Sequence, residues 1–591
     1  MNHANLEVPM IGVVARPEDH DIVREFFELF KTSWEFYRRD RRYRVVLQAD
    51  GTSRDRSAEL VLLYAGEATA FDHECKRLPG PPRRNTTLSW DGDSIPVYGH
   101  AVPFAAGDPM PDLTLKDTAE PAAWVRRSAD RTVMRVGYDL FREIRHLLTK
   151  GQPPAHAAIP TLELHIALLR SWILGAGIPV VEIPPVPEGH RFIVCLTHDL
   201  DHPSIRFHRF DRTTLGFLYR AVVGSVAKVL QGRMPLTALR RNLAAALSLP
   251  FVHLGWAKDF WFGFDRYLEI EKGLASTFFV IPTKGNPGRT LQGRAPRNRA
   301  ASYGVSDIAD RVRSLAAAGS EIGLHGIDAW LDSGRGSEER EAVSRVAGAT
   351  AAGVRMHWLF FDEQAPARLE QAGFAYDSSF GYNETVGLRA GTLQAFKPLT
   401  ARRLLEMPMT IMDTALFYPS YLNLTEDAAK RVVWPLVDSA QHYGGALTIN
   451  WHDRSLAPER LWGGFYNRFI DELKRRAPWF ATVAQAASWF HQRRSVVFES
   501  VRWARDSVHV RAFADCQDDL PGLSVRVYMP CRSNGNNGEN GNGASACDRR
   551  ASFTDMAFRN TVDVRIRLQP STMNNLLGHH GIRSTQEMET R

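Results

Sequence analysis

The chain predicts an α/β protein centred on a barrel or barrel-like domain of repeated strand–helix units. Three observations carry that expectation. Short apolar runs recur at 191–197 (RFIVCLT), 275–281 (ASTFFVI) and 321–324 (EIGL), as buried parallel strands do. Between the last two, residues 306–318 form an amphipathic stretch closed by Gly319, which completes a βαβ unit. The alternation then continues, with strands expected at 354–361, 404–407 and 446–450 and helices at 338–347, 364–372, 425–442 and 461–476.

The flanking elements follow from the same periodicities. Residues 1–150 read as a mixed α/β domain. It holds a helix over 19–38 from the 3–4 rhythm of Ile22, Val23, Phe26, Phe27 and Phe30, strands at 43–48 and 59–64, and a loop at 79–84 (PGPPRR). No chemistry-bearing cluster falls there. Helices are expected over 134–150 and 161–175, the second inside a proline-punctuated connector, 151–187. The barrel-like domain spans 188–495. A long basic amphipathic segment, 206–256, interrupts it and reads as a helical insertion that either covers the sheet or lies on an acidic membrane surface. Alternating runs at 508–513 (VHVRAF) and 523–529 (LSVRVYM) predict a small antiparallel β module over 496–568. Within it, 533–546 (SNGNNGENGNGASA) is expected as a flexible loop, and 569–591 as a disordered tail.

Composition narrows the class. A length of 591 residues suggests three or four domains. With 44% hydrophobic and 24% charged residues, the chain is neither disordered throughout nor collagenous nor a small disulfide scaffold. A net charge of +7 over this length is a weak field and no nucleic-acid signature. Five scattered cysteines without a CxxC pair exclude a zinc ribbon or dithiol motif and fit a reducing compartment. The first residues lack a basic n-region and an apolar core, and the best candidate span, 213–230, is interrupted by Arg220 and Lys228. A cytoplasmic location is expected, with peripheral membrane contact through 206–256 on the second of its two readings.

The chemistry concentrates at Thr197-His198-Asp199-Leu200-Asp201-His202, where the first buried strand ends. In extended backbone Asp199 and Asp201 point one way and the two histidines the other. Paired carboxylates past the C-terminal end of a parallel strand sit where α/β domains place catalytic groups. Two close carboxylates repel, and a bound divalent cation resolves the conflict while freeing one of them as a general base.

Five segments in order resemble the polysaccharide deacetylase (NodB-homology) family. THDLD at 197–201 is similar to its first acidic motif and STFFVIP at 276–282 to its second strand. GSEIGLHG at 319–326 resembles its metal-histidine motif, VRMHW at 354–358 its arginine motif, and LTINWHDR at 447–454 its closing histidine motif. The resemblance covers about 188–495 and implies a distorted (β/α) barrel of that family's type, in a divergent branch with extra domains. It implies Asp199 as the general base, Asp201 and His325 as ligands of a divalent metal, zinc above others, Arg355 as the partner that keeps Asp199 ionised, and His452 as the general acid. Asp413 is the expected carboxylate behind His452, with Asp377 as the runner-up. Trp358 and Tyr382 are the aromatic residues assigned to the sugar.

The family's second metal histidine, four residues after the first, is replaced here by Ala329. Asp328, His357 and His202, and beyond them His198, are the remaining candidates for the third ligand that zinc requires. The implied function is metal-dependent removal of an N-acetyl group from a sugar or polysaccharide precursor, in surface polysaccharide biosynthesis. A nucleotide-linked, lipid-linked or nascent-chain substrate fits, and nucleic acid does not. The alternatives are a metal-independent amidohydrolase on the same barrel and a catalytically silent glycan-binding protein.

Overall fold

The computed structural model describes residues 10–567 apart from 52–57, 108–111, 130, 210, 233, 461, 505–506 and 531–551. The loop expected at 533–546 and the tail from 569 lie outside the described residues.

The central sheet is parallel and curls into an incomplete barrel. Its strands are β1 (Ile193–Leu200), β2 (Ser276–Val280), β3 (Glu321–Gly326), β4 (Gly353–Met356), β5 (Tyr376–Asp377), β6 (Leu405–Glu406), β7 (Met409–Met412) and β8 (Ala446–Asn450). Hydrogen bonding runs β6-β5-β4-β3-β2-β1-β8-β7, so chain order follows the circle. Neighbours pair in parallel throughout. The circle opens between β6 and β7, where Met407 and Pro408 intervene and the proline lacks a donor for a ladder. A ninth short strand, Trp479–Phe480, pairs with the start of β1, below the point where β2 begins.

Side-chain alternation on β1 decides what the barrel holds. Phe192, Val194, Leu196 and Leu200 pack into the largest core cluster, with helix residues such as Val312, Val343 and Leu369. Ile193 and Cys195 face the other way, with Phe279, Tyr376 and Leu405. Asp199 and Asp201 carry the parity of the second set. Gly353 admits the Tyr376 ring here, since a Cβ on it would come within 1.8 Å of that ring.

The 206–256 insertion is helical. Helix α1 (Arg212–Leu230) contains a π-turn at Arg220–Gly224, and α2 (Leu236–His253) packs back along it. The insertion leaves and returns at one place: Ser204 Oγ donates to Asp259 Oδ2 (2.6 Å), and an Arg206 Nη donates to the Ala257 carbonyl (3.0 Å).

Ahead of the barrel, a six-stranded sheet runs Trp34–Phe36, Ile11–Val14, Val45–Gln48, Leu60–Tyr64, Thr132–Val136, Ala123–Arg127, parallel except for its last pair. Thr161–Gly175 packs into its core, and Val180–Glu182 pairs with Leu523–Tyr528 near the C-terminus, so residues 151–187 are built into both flanks. Two further three-stranded sheets use 497–567.

Three expected boundaries are corrected. The helix expected over 19–38 stops at Phe30, where Lys31 turns left-handed (φ 41°), and Trp34–Phe36 is a strand. The stretch 134–150 opens as the strand Thr132–Val136, and its helix starts at Leu140 after the Asp139 cap. The strand expected over 354–361 ends at Met356, because Trp358 and Leu359 take positive φ (63° and 53°).

Candidate active site

The C-terminal ends of five barrel strands converge on one cleft of about 420 Å³, within the usual range for ligand sites. β1 delivers Asp199 and, one step past its end, Asp201. β3 delivers His325, and β4 delivers Arg355 and then His357. β7 leads into Asp413, and β8 into His452. His325 and Arg355 are register partners across β3 and β4.

Three donors meet at the floor. Asp201 Oδ1 lies 3.2 Å from His325 Nε2 and 3.3 Å from His357 Nδ1, and the two ring nitrogens are 3.0 Å apart. Backbone carbonyls fix both tautomers. His325 Nδ1 donates to the Arg355 carbonyl (3.0 Å) and His357 Nε2 to the Arg299 carbonyl (3.1 Å). The nitrogens that face each other are therefore both lone pairs, and buried Asp201 Oδ1 has no hydrogen-bond partner. Three unprotonated donors around one point are a cation's coordination face. Tetrahedral bonds of about 2.0–2.1 Å put ligand atoms about 3.3–3.4 Å apart, close to these spacings. The residues present fit a divalent metal, with Asp201, His325 and His357 as the holders.

The other third-ligand candidates are engaged elsewhere. Asp328 accepts from the Arg289 backbone N–H and from Arg335 (both 2.8 Å). His202 stands on the cleft wall, its N–H donating to Asp453 (2.7 Å) and its ring 3.1 Å from His208 Nε2. His198 points away, 3.0 Å from Glu271.

Asp199 is the second carboxylate of the cleft. Arg355 Nη1 donates to its Oδ1 (3.0 Å) and Asn450 Nδ2 to its Oδ2 (2.8 Å). Arg355 is itself fully buried and locked by Thr197 Oγ1, the Ser378 carbonyl and Ser378 Oγ. Burial pushes the Asp199 carboxyl up, but the charges of Arg355 and then His452 outweigh it and hold it below the ordinary range.

His452 faces this pair. Its Nε2 lies 3.8 Å from Asp201 Oδ2, and its Nδ1 is 2.6 Å from Asp413 Oδ1. Asp413 Oδ2 also accepts the His452 backbone N–H (2.7 Å), so one carboxylate sets both ring and backbone. Burial lowers the imidazole, but Asp413 first and then Asp201 and Asp199 raise it to about 10. Asp377, the runner-up for this role, instead accepts from Ser379 Oγ (2.5 Å).

Of the two aromatic residues assigned to the sugar, Trp358 lines the cleft, half exposed on its strained turn. Tyr382 is buried away from it and donates to the Gln152 carbonyl (2.7 Å). Sequence reasoning missed Asn450, although it sits two residues before His452 in the closing motif. It also missed Arg299, whose Nη2 donates to the His357 carbonyl (2.8 Å), and Tyr418 and Arg454 on the wall.

The chain is similar to solved carbohydrate deacetylases. It shares 10% identity with Agd3, described as a novel carbohydrate deacetylase, over 95% of this chain and 100% of that one, at a TM-score of 0.35. It shares 20% with a Mycobacterium smegmatis protein described as a polysaccharide deacetylase, over 52% and 94%, at 0.33. The Puue allantoinase gives 16% over 52% and 93%, at 0.32. No protein-family model and no curated protein matches the chain. At such identities and TM-scores these likenesses say nothing by themselves about the reaction, which is read from the side chains.

Proposed function

We propose that the protein is a metal-dependent hydrolase that removes the acetyl group from an N-acetylated sugar or glycan. One observation carries this reading: a three-donor metal face opposite an ionised carboxylate and a proton-bearing imidazole, all in a single sugar-sized cleft. The donor set of two nitrogens and one oxygen, with a position left open, suits zinc. When bound, the cation would polarise the acetyl carbonyl and favour hydroxide over water.

This chain's own residues perform the remaining work. Arg355 and Asn450 orient Asp199 so that its carboxylate takes a proton from the attacking water. Asp413 holds His452 protonated, and its Nε2–H is delivered to the departing amine as the C–N bond breaks. Acetate and a free amino sugar result. On this reading the reaction belongs to the assembly of a surface polysaccharide. A metal-free amidohydrolase would leave the lone pairs of Asp201, His325 and His357 facing one another with nothing between them, so the metal-dependent form is preferred.

The test pairs two measurements on the full chain: metal content by elemental analysis after dialysis, and acetate released from N-acetylated amino-sugar oligomers. About one zinc per chain and metal-dependent acetate release are expected. Acetate release that survives complete chelation would favour the metal-free alternative, and metal binding without any turnover would favour the silent glycan binder.

A further inference from the structure

The helical insertion has two apolar faces, and only one is covered, where its helices pack on each other and on Ile205, Trp261 and Ala457. On α1, Thr214, Phe217, Ala221 and Ser225 are buried, and on α2, Ala238, Asn242, Ala245, Leu249 and Val252 are, each a stripe at helical spacing. Asn242 Nδ2 donates to Ser225 Oγ (2.8 Å) and ties the hairpin together. The opposite face is apolar as well. Val223, Val226 and Leu230 of α1 and Leu247, Phe251 and Trp256 on or just past α2 stand exposed, Leu230 at 83% and Trp256 at 76%. Helices apolar on both sides need something to cover the second side.

Charge names the cover. From Arg212 to Trp256 there is no Asp or Glu, and there are six Lys and Arg residues. Cations interspersed with Trp, Tyr and aliphatic side chains on an exposed helix face match an anionic bilayer surface. Among the described residues, α1 is the one helix long and apolar enough, by length and composition, to cross a membrane. Its buried stripe, packed on α2, Trp261 and Ala457, ties it to the protein instead.

The inner edge of the same hairpin stands behind the cleft wall, on the side of the lining residue Arg454. Arg220 and Lys228 of α1 are electrostatic neighbours of Arg454 and Arg460. Arg454 lines the cleft and its guanidinium lies 5.3 Å from the Trp261 ring centre. Arg460, 95% buried, sits 5.3 Å from the ring centre of Tyr418, another cleft residue. None of these four cations is ion-paired to a carboxylate among the described residues. Arg220 Nε and Arg460 Nε are buried without partners. Glu459, buried beside Arg460, Arg220 and Arg454, offsets part of their charge, and its Oε1 accepts the Trp261 Nε1–H (3.1 Å). Four cations against the one carboxylate of Glu459, with Arg454 on the cleft wall, leave an excess of positive charge that suits an anion.

We infer that the substrate is a lipid-linked sugar phosphate. The N-acetyl sugar enters the cleft, its phosphate sits among Arg220, Lys228, Arg454 and Arg460, and its lipid runs along the outer face of α1 and α2 into the bilayer. The sugar chemistry rests on the deacetylase reading, whereas the docking and phosphate site stand without it.

The test uses vesicle co-sedimentation of the full chain, with neutral phosphatidylcholine vesicles and the same vesicles carrying a minor fraction of a long-chain isoprenoid phosphate. Binding at least about fivefold tighter to the phosphate-bearing vesicles is expected, with a loss of about fivefold for Lys228→Gln or Arg220→Gln. Leu230→Asp with Leu247→Asp, both at exposed positions, should abolish binding to either vesicle without lowering the melting temperature. Failure to bind any vesicle overturns the inference, as does equal binding to both kinds. It is also overturned if N-acetylglucosamine 1-phosphate binds while vesicles do not, or if sedimentation shows a dimer that Leu230→Asp dissociates. Acetate release from soluble oligomers without vesicle binding would sink this inference alone. Vesicle binding without acetate release from any substrate would sink the deacetylase reading alone.

Discussion

Asp199 stays charged in a buried pocket because two donors, Arg355 and Asn450, are themselves held by the barrel interior. Asp199→Asn keeps the side chain's shape and one of those two contacts but cannot accept a proton. Turnover should fall by at least about 10²-fold, the usual scale of a lost general base, with an unchanged circular dichroism spectrum. A wild-type rate would remove Asp199 from the base role. His357 makes a sharper test, since it takes the place of the histidine missing at position 329. His357→Ala should lower bound metal about 10-fold or more in elemental analysis, on the scale of disturbed metal shells. Asp199, Asp201, His325, Arg355 and His452 could be named from sequence because each closes a strand in a recognisable run. His357 could not be chosen over Asp328 or His202, because a left-handed Trp358-Leu359 turn, invisible in periodicity, aims it at the floor.

Elements were most legible where pattern and boundary signals agreed. The strand 446–450 and the helix 161–175 lie where the apolar runs put them. Phe26, Phe27 and Phe30 continue into Trp34 and Phe36, so a helical rhythm passes without a gap into a strand's alternation, and only the turn at Lys31 divides them. The helix Leu140–Thr149 carries a pH-dependent tie of its own. Glu143 accepts the backbone N–H groups of Tyr98 (2.6 Å) and Gly99 (2.8 Å). Burial overrides those bonds and raises its carboxyl from 4.5 to about 7. A native pKa above the unfolded one stabilises the fold below about 4.5 and loses that contribution as pH rises to about 7. Melting curves should show the stability of the wild type relative to Glu143→Gln falling over that window by about 1–3 kcal/mol. A constant difference across it would mean that Glu143 titrates normally.

At the scale of the whole molecule, the metal face draws on residues 201, 325 and 357, which belong to three different strand ends. A cation there would cross-link segments far apart in the chain, so binding should be visible as stability. At metal about 100-fold above its dissociation constant, the gain is about 2.7 kcal/mol. Adding a chelator should therefore lower the melting temperature of the wild type by several degrees and leave Asp201→Ala unmoved. A wider open groove of about 880 Å³, between residues 27–42 and 496–501, shares no side chain with the catalytic cleft. The neck of the hairpin, where Ser204 meets Asp259 and Arg206 meets Ala257, carries a different consequence. Its two stems stand a hydrogen bond apart, so a tight turn could bridge them in place of the fifty-odd residues between, at little cost in loop-closure entropy. The hairpin is thus a module that can be removed or added without disturbing the strand order of the barrel, and with it come or go the Arg220 and Lys228 cations.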